Sequence, residues 1–445
     1  MPCAKSLARA PLARAASNAL HAPNARLASL PRSNVFAACT KMAGDHGAVN
    51  LGQGFPSWPV PQFVLDAAAA SIRDSEAGFN QYSRPGGHPL LLDAIARFTA
   101  SRFRRPISEE NVTVAAGAQG AISNVFATFC AEGDEVVFIE PAFEMYSRMA
   151  AMHGCHVRGV PLGNVTGASV ASTSEQLTLD IPALEAAITP RTRLLILNTP
   201  HNPTGKVFSR AEYEAVASVV RRHPRLLVLS DDVYEFMVLE ASLEHVHFAL
   251  LPGMWERTIS TFSAGKTFSC TGWRVGYCIG PPELIAPLTS TQSIVSFCAA
   301  APLEVAIARS IDAAEALGYF DSLAASLRHK RDELVAALGA AGLKPIVPGG
   351  GYFVLCDTSG LKAAGGPSPP SALADDNAFA QRRDYLACAA LTKSVGVLGL
   401  PIGGFYSPAN RHLSDSLLRF AFCKADGELH EAAERLREAK ARGAL

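Results

Sequence analysis

Between residues 60 and 280, short apolar runs alternate with longer stretches in which apolar positions recur at helical spacing. Such runs are typical of strands buried on both faces, and their alternation with helices is typical of an α/β fold with a mainly parallel sheet. The runs predict strands at Val112–Ala115, Glu135–Ile139, Leu194–Asn198, Leu226–Ser230, Thr258–Phe262 and Val275–Ile279. The intervening stretches predict helices at Ala67–Arg73 and Leu90–Arg102, from the turn at Gly120 to Cys130, and from about Phe143.

The pattern changes after Gly280, where helical stretches dominate. A long helical stretch from Leu284 to about Ala340 is broken near Ala301-Pro302, and a Gly/Pro/Ser-rich insertion covers Gly365–Ala372. Further predictions are strands at Tyr352–Cys356, Gly396–Leu398 and Leu418–Phe422, and helices at Arg383–Thr392 and Glu428–Ala441. We therefore expect three structured parts. They are an arm (residues 34–60) that packs on the smaller domain or reaches a neighbouring subunit, a large domain (residues 61–300) and a smaller α+β domain (residues 301–445).

Composition and charge exclude several classes of partner. Of the 445 residues, 49% are hydrophobic and 18% are charged, which is typical of a globular protein. The 40 Lys and Arg residues balance 40 Asp and Glu residues, so no basic excess indicates nucleic acid binding. No uninterrupted apolar run approaches the roughly 20 residues that a membrane span needs. We expect neither nucleic acid nor membrane as a partner.

The cysteines and histidines give no sign of a disulfide frame or a metal centre. The ten cysteines are irregularly spaced without a Cys-x-x-Cys pair, so we interpret them as reduced, mostly buried thiols. The nearest candidate for a zinc site, Glu244-His245-Val246-His247, lacks a partner cluster. We expect these residues to be polar positions on a connection, and we predict no metal site.

Residues 1–33 differ from the rest of the chain. They contain five basic residues, several Ser and Ala residues and no Asp or Glu. A basic leader without acidic residues is typical of an organelle transit peptide, whereas no apolar core of a secretory signal follows the first charges. We expect a mitochondrial leader. The alternatives are a plastid leader and an N-terminal extension of a cytoplasmic protein.

The stretch Ser260–Ser269 contains a lysine in an unusual place. Lys266 follows a predicted buried strand and the turn Ala264-Gly265, where a lysine is poorly solvated. A lysine with a lowered pKa forms an imine with an aldehyde. Ser263 and Arg274 supply a hydroxyl and a guanidinium that suit a phosphate group. These residues predict a site for a phosphorylated aldehyde, and an exposed loop position is the alternative for Lys266.

Two further strand ends bear polar side chains. Asn202 lies in the turn Asn198–Gly205, and Asp231 and Tyr234 follow the next predicted strand, at the edge where open α/β sheets bind ligands. Asp231 can keep the ring nitrogen of a pyridine cofactor protonated, so that the ring draws electrons from a carbanion. Tyr234 and Asn202 can hydrogen-bond the phenolate oxygen of that ring, whereas Asp232 is expected to lie outside the contact. The alternatives are a turn role for Asn202 and a helix cap for Asp231.

Three more features complete the predicted site. The turn Gly117–Gly120 opens a helix whose free backbone N–H groups favour an anion. Phe143 follows a strand and can stack on a cofactor ring, although an ordinary core aromatic is the alternative. Arg419 lies inside an apolar strand and needs an anionic partner, for which the α-carboxylate of an amino acid is suited. An internal salt bridge is the alternative for Arg419.

Together these segments resemble the class I aminotransferases of fold type I, which use pyridoxal 5'-phosphate (PLP). The resemblance covers nearly all of residues 34–445, with the motifs in the order of that family. Within the class, the chain is most similar to the kynurenine aminotransferase group, also described as glutamine transaminase K and cysteine-S-conjugate β-lyase. The segments that carry the narrower resemblance are Val49–Pro56, Asn80–Tyr82, Leu251–Thr258, Ser263–Gly272 and Phe405–Ser407.

The resemblance implies an α/β fold whose large domain holds a mainly parallel seven-stranded sheet beside a smaller α+β domain. It implies PLP as the cofactor and a homodimer with shared active sites. The implied cofactor residues are Lys266 as the imine-forming lysine, Asp231 at the ring nitrogen, Asn202 and Tyr234 at the phenolate oxygen, Phe143 on the ring, and Ala118, Gln119, Ser263, Arg274 and, from the other subunit, Tyr82 at the phosphate. The implied substrate residues are Gly54, Asn202 and Arg419 for the carboxylate, Phe36 for the side chain and, across the dimer interface, Phe297.

The chain departs from the pattern of the kynurenine group in its pocket. Gln119 replaces an aromatic residue, Phe36 a tryptophan, Cys298 a histidine, and His201 the first Asn of Asn-Asn-Pro. The resemblance implies an aminotransferase that moves the amino group of a large neutral or aromatic amino acid (kynurenine, glutamine, methionine or phenylalanine) to a 2-oxo acid by a ping-pong mechanism. In that mechanism the freed amine of Lys266 acts as the general base.

Two other functions were weighed against transamination. β-Elimination from cysteine S-conjugates proceeds from the same carbanion, so the sequence leaves this lyase reaction open as a main or side activity. A PLP-sensing regulator needs an attached DNA-binding module, for which the first 33 residues are too short and no basic recognition face is present.

Overall fold

The computed structural model describes residues 24–28, 30, 34–74, 78–166, 170–361 and 379–445. Most of the predicted leader and the insertion Gly365–Ala372 lie outside these residues, so both remain predictions. In the part of the chain that is described, no helix has the length and apolar character needed to cross a bilayer.

The strands of the described residues form one large and two smaller sheets. They are β1 (Val49–Asn50), β2 (Val112–Ala116), β3 (Glu135–Glu140), β4 (His156–Pro161), β5 (Thr192–Asn198), β6 (Leu227–Asp231), β7 (Thr258–Ser263), β8 (Val275–Ile279), β9 (Lys344–Ile346), β10 (Phe353–Asp357), β11 (Val397–Leu398), β12 (Leu400–Pro401) and β13 (Leu417–Ala421). The large sheet has seven strands in the order β2-β8-β7-β6-β5-β3-β4. In this sheet β8 runs opposite to the other six strands, which confirms the mainly parallel sheet.

Helices cover the large sheet and build much of the rest. Those described are α1 (Ala25–Ala28), α2 (Val35–Asp45), α3 (Gln62–Arg73), α4 (Pro89–Phe103), α5 (Gly117–Phe129), α6 (Glu144–Met152), α7 (Ile181–Ala187), α8 (Arg210–Arg221), α9 (Ala264–Thr267), α10 (Pro282–Val295), α11 (Ala301–Ala316), α12 (Tyr319–Ala340), α13 (Arg383–Val395) and α14 (Asp426–Ala441). The long helical stretch after residue 284 has a second break, because Gly318 adopts a left-handed conformation with φ of +60°.

The elements that the sequence did not predict lack a long apolar run. Strand β4 lies at the sheet edge and is mostly half-exposed, so its residues are not continuously apolar. Helix α8 has a visible start signal, since Ser209 and Glu212 form a capping box at its N-terminus. Strands β9 and β12 are only three and two residues long.

The smaller sheets bring the ends of the chain beside the large sheet. Strands β12, β13, β10 and β9 form an antiparallel sheet, in which Arg419 of β13 lies opposite Leu355 of β10. Strand β1 of the predicted arm pairs in parallel with β11. These contacts place the arm against the C-terminal part. The predicted domain boundaries at residues 60 and 300 stay predictions.

Candidate active site

A cavity of about 360 Å³ lies where β5, β6 and β7 end at the carboxyl edge of the large sheet. All the predicted site residues except Tyr82 and Phe297 line it. They are Phe36, Gly54, Ala118, Gln119, Phe143, Asn202, Asp231, Tyr234, Ser263, Lys266, Arg274 and Arg419. Segments that are distant in sequence therefore meet around one space large enough for a small ligand.

Lys266 lies in the short helix α9, directly after β7. The hydroxyl of Ser263 accepts a hydrogen bond from the Lys266 backbone N–H at 3.3 Å and caps this helix. The ammonium Nζ donates to the carbonyl of Gly54 at 3.1 Å. Burial lowers the pKa of Lys266 to about 8, so a neutral amine is far more accessible than for an exposed lysine.

Asp231 is the last residue of β6, and it is buried beside a phenol that the sequence did not predict. The hydroxyl of Tyr146, in α6, donates a short hydrogen bond to the Asp231 carboxylate. Burial raises the pKa of Asp231 to about 6, while the bond from Tyr146 and the nearby cation Lys266 act in the opposite direction. Tyr146 follows Phe143 by three residues, and in the sequence it is indistinguishable from an ordinary core tyrosine.

Among the residues that the structure describes, Arg419 is a buried cation without a carboxylate partner. Its Nη1 donates to Asn202 Oδ1 at 3.0 Å and its Nη2 to the Gly52 carbonyl at 2.9 Å, but its Nε has no partner. The Phe353 ring lies 3.9 Å from the guanidinium carbon. No ion pair to Arg419 exists among the described residues. The internal salt bridge that the sequence left as an alternative is therefore not formed there. Burial lowers its pKa to about 10, which leaves it charged at neutral pH.

A cationic side chain covers the start of helix α5. Gly117, the first residue of this helix, has φ of +77°, and a Cβ there would lie 2.5 Å from Arg274 Nη2. Arg274 donates to the carbonyls of Thr271 at 3.0 Å and Ala116 at 3.4 Å. Because the first N–H groups of a helix lack intrahelical partners, this end of the cavity suits an anion.

Aromatic side chains form much of the remaining wall. Tyr234 is buried with its ring 5.0 Å from that of Tyr352, and burial raises the pKa of Tyr234 above its ordinary value. The hydroxyl of Tyr352 donates to the Gly54 carbonyl at 2.9 Å. Phe143 packs edge-on against Tyr146 at 5.7 Å. Tyr352 is the second residue near the cavity that the sequence did not predict, since it directly precedes a strand of core residues.

Comparison with known proteins identifies the family. Residues 47–436 match the family described as aminotransferase class I and II. The chain belongs to this aminotransferase family. It is 37% identical over 414 residues to a kynurenine–oxoglutarate transaminase of Dictyostelium discoideum, covering 92% of this chain and 94% of that protein.

Solved structures agree with this assignment. Bna3p of Saccharomyces cerevisiae is 30% identical with a TM-score of 0.87, covering 94% of this chain and 99% of that one. YbdL of Escherichia coli, reported with a methionine aminotransferase function, is 29% identical with a TM-score of 0.80 and the same coverage. The predicted class, fold and dependence on PLP are thereby confirmed.

The residues that line the cavity of this aminotransferase fit the chemistry of PLP. A buried amine with a lowered pKa (Lys266) and a buried carboxylate (Asp231) line the same cavity. The helix start at Gly117, under Arg274, offers an anion site for the cofactor's phosphate. These groups match an aldehyde, a ring nitrogen and a phosphate, which are three of the polar parts of PLP.

Two predicted site residues of the aminotransferase lie outside the cavity of their own chain. Tyr82 and Phe297 pack edge-on at 5.3 Å, with 87% and 44% of their surfaces exposed. Neither lines the cavity. Their predicted roles concern the site of a second subunit, and they stay predictions.

The expectation that His245 and His247 lack partner ligands is wrong. The side chain of Asp232 meets both histidines, and the potential ligand atoms of the three residues lie within 4.8 Å of one another. Asp232 precedes His245 by thirteen positions, so the sequence could not show this contact. Asp232 does not line the substrate cavity.

Proposed function

We propose that this aminotransferase transfers the amino group of a large neutral or aromatic amino acid to a 2-oxo acid. The observation that carries the proposal is the buried, unpaired Arg419 in the same cavity as the amine of Lys266. A guanidinium without a counterion binds a carboxylate strongly, and it places the α-amino end of that substrate within the cavity. Both half-reactions need this arrangement, since both substrates bear such a carboxylate.

The cavity wall supports the choice of side chain. Phe36, Phe143, Met145 and Phe353 give it an apolar surface. Lys266, Arg274 and Arg419 are the cationic residues among its described lining, and each has a proposed role in binding cofactor or α-carboxylate. No further cation there awaits a second carboxylate of an amino donor, which favours neutral donors.

Relatives support the same class of substrates. Curated relatives act, by name, as kynurenine–oxoglutarate transaminases, and one similar structure has a methionine aminotransferase function. Kynurenine is aromatic and methionine is a large neutral amino acid. These names favour transamination over the β-elimination that the sequence left open.

The chain's own groups suggest how the reaction proceeds. When bound, PLP stores the electron pair released from the substrate's Cα. Lys266 would take the Cα proton, and its lowered pKa of about 8 makes a fraction of neutral amine available near pH 7. Asp231, supported by the hydroxyl of Tyr146, holds the proton at the ring nitrogen.

The remaining residues bind and orient. Arg419 grips the carboxylate, and Asn202 fixes one arm of its guanidinium. Asn202 and Tyr234 are proposed to contact the phenolate oxygen, and Phe143 the ring face. Ser263, Arg274 and the turn with Ala118 and Gln119 are proposed to hold the phosphate. Gly54 is proposed at the substrate carboxylate, where a Cβ would lie 2.5 Å from the Phe353 ring.

We also propose a homodimer in which Tyr82 and Phe297 complete the partner's cavity. The support is their exposure, together with that of Ile294 and Val295, which are 86% and 62% exposed. Large apolar side chains that cluster at a surface are typical of an interface.

We also propose that residues 1–33 are a mitochondrial leader, and the support is their basic composition. The test is to fuse residues 1–33 to a fluorescent protein and observe whether the fusion enters mitochondria.

Cofactor absorbance tests the proposed reaction. The spectrum of the purified protein is recorded before and after adding excess glutamine, methionine, phenylalanine, kynurenine or aspartate, without any oxo acid. We expect the visible band to move toward the near-ultraviolet with one or more of the neutral or aromatic donors and not with aspartate. A band that only aspartate shifts contradicts the proposed substrate class, and a band that no amino acid shifts contradicts transamination.

A further inference from the structure

Three side chains bring metal-ligand atoms together behind the large sheet's carboxyl edge. Asp232 follows the last residue of β6, and His245 and His247 lie on the segment leading to β7. Asp232 is fully buried, and the side chains of His245 and His247 are 7% and 8% exposed. One ligand atom from each lies within 4.8 Å of the others. The cluster is separate from the substrate cavity, which none of the three lines.

The ligand atoms of this cluster are unsatisfied. Asp232 Oδ2, His247 Nδ1 and both ring nitrogens of His245 are buried and have no hydrogen-bond partner. Buried polar atoms are nearly always paired, so four such atoms in one place indicate a missing ligand.

The spacing suits a tetrahedral ion. His245 Nε2 lies 3.6 Å from Asp232 Oδ1, and His247 Nδ1 lies 3.9 Å from Asp232 Oδ2. Ligand atoms about 2.1 Å from a tetrahedral zinc ion are roughly 3.4 Å apart, so small side-chain movements close the site. Two imidazoles and one carboxylate are a donor set of zinc, whereas calcium and magnesium prefer oxygen ligands alone.

Outer contacts orient two of the three ligands. Ser230 Oγ donates to Asp232 Oδ1 at 3.0 Å. His247 Nε2 lies 3.7 Å from Glu235 Oε2, and also 3.5 Å from Arg102 Nη2. A metal on Nδ1 would place the ring's proton on Nε2, so Arg102, which can only donate, would give up its contact with Nε2 and keep its 2.6 Å ion pair with Glu235, and the Glu235 carboxylate would have to move closer to accept that proton. A metal-bound histidine that donates its other N–H to a carboxylate is the usual outer arrangement.

The charges of the cluster favour a cation. Asp232 and Glu235 are two buried carboxyl groups, against which Arg102 supplies one positive charge. A cation held by the two imidazoles and the Asp232 carboxylate would lie beside these acidic groups, and paired charges are the form in which buried charges are tolerated. We propose that Asp232, His245 and His247 bind one zinc ion. The ion ties the connection between β6 and β7 to the strand end that bears Asp231.

Metal content of the holoenzyme tests the site. The full chain is produced without a histidine tag in zinc-supplemented medium, desalted exhaustively and analysed by plasma mass spectrometry. We expect about one zinc per wild-type chain and less than a tenth of that in Asp232→Asn, which keeps the size of the side chain. His245→Gln is expected to lose zinc, and His430→Gln, with a side chain 69% exposed, serves as the matched control that keeps it.

Thermal unfolding provides a second readout that can be taken on the wild-type protein and compared with Asp232→Asn. Removal of zinc by a chelator is expected to lower the wild-type midpoint, and added zinc to restore it, whereas the Asp232→Asn midpoint stays unchanged in both steps. Wild-type protein with less than a tenth of a zinc per chain, and no change in midpoint on adding zinc, overturns the proposal. Zinc retained in both Asp232→Asn and His245→Gln overturns it as well, because the ion then binds elsewhere.

Discussion

At the scale of single residues, two cations of the cavity lie in surroundings that disfavour their charge. For Lys266, these surroundings lower the pKa to about 8, which favours the neutral amine that the proposed proton transfer needs. Arg419 remains charged and unpaired by any carboxylate in the described chain. The same physical cause, burial, therefore supports both proposed roles, a base at one position and a carboxylate receptor at the other.

Lys266→Ala is expected to lower kcat by at least about 10²- to 10⁴-fold, because the general base is lost. Borohydride reduction of the holoenzyme, followed by mass analysis of its peptides, should leave cofactor on wild-type residue 266 and none in the variant. Lys393→Ala, at an exposed position of α13, is the control and should match the wild type. Full turnover by Lys266→Ala contradicts the role of this amine.

Arg419→Gln is expected to lower kcat/KM for amino donors by about 10- to 100-fold, mainly through KM, because a charged hydrogen-bond pair is worth about 1.5–3 kcal/mol. Since the wild-type cation is buried without a counterion, the substitution should not lower the unfolding midpoint of the apoprotein. Arg411→Gln, on the surface, is the control for both measurements. An unchanged KM in Arg419→Gln argues against carboxylate binding at this residue.

At the scale of elements, the cavity is built where strands end and helices begin. Asp231 ends β6, Ser263 ends β7, and Gly117 starts α5. The strand ends hold side chains rigidly, and the helix start adds backbone N–H groups for an anion. Substitutions at such junctions are therefore expected to weaken ligand binding more than substitutions one turn further along the same helix.

Gly117→Ala is expected to weaken PLP binding by at least about 10-fold, because the residue's φ of +77° disfavours alanine and the new Cβ would displace Arg274. Gly120→Ala is the matched control in the same helix, since its Cβ would meet nothing closer than 3.6 Å. Cofactor dissociation constants from titration of the apoproteins make the comparison. Equal losses of affinity in both variants would refute a specific role for the helix start.

Glu304 of α11 links this helix to the start of α4, and its pKa lies near neutrality. It accepts the His88 backbone N–H at 2.5 Å, at the start of α4, and burial raises its pKa to about 7. Between pH 4.5 and 7 the folded chain holds a proton at Glu304 that the unfolded chain has lost. This group's contribution to stability is therefore present at low pH and is lost as the pH rises through about 7.

Glu304→Gln should remove this pH dependence while keeping an acceptor for His88. The free energy of unfolding of the variant minus that of the wild type is expected to be larger at pH 8 than at pH 4.5. Urea unfolding of both apoproteins at the two pH values measures this difference. An identical difference between the two proteins at both pH values would show that Glu304 does not titrate in this range.

The elements also show what could be predicted. The buried strands of the large sheet were predictable because each is a continuous apolar run, whereas the edge strand β4 is half-exposed and gives no such signal. Site residues next to strand ends were predictable because the strands themselves could be located. Tyr146, Tyr352 and the cluster around Asp232 were not, because their functions depend on contacts between distant segments.

At the scale of the whole molecule, one chain leaves two predicted site residues on its surface. Tyr82 and Phe297 lie exposed beside each other, away from the cavity of their own chain. If each subunit completes its neighbour's site, then a defect at Tyr82 and a defect at Lys266 affect different sites of a mixed dimer. The activity of mixed dimers can therefore show whether the two residues belong to different sites.

Mixing Lys266→Ala and Tyr82→Ala subunits, after unfolding and joint refolding, is expected to restore roughly a quarter of the wild-type activity. Half of the dimers are mixed, and each of these has one site free of both substitutions. Mixing Lys266→Ala with Asp231→Asn is the control, because both residues line the cavity of one chain and each mixed site retains one defect. Equal activity of the two mixtures contradicts the shared site.

The hydrogen bond from Arg419 Nη2 to the Gly52 carbonyl joins residues 367 positions apart. At a ribosomal rate of 5–20 residues per second, the synthesis of that interval takes roughly 20 to 70 s. Throughout this time, the nascent chain contains Gly52 but not the arginine that pairs with it. The proposed carboxylate receptor can therefore form only after residue 419 has been synthesised, and a product that terminates before this residue is expected not to bind substrate even if its large sheet has folded.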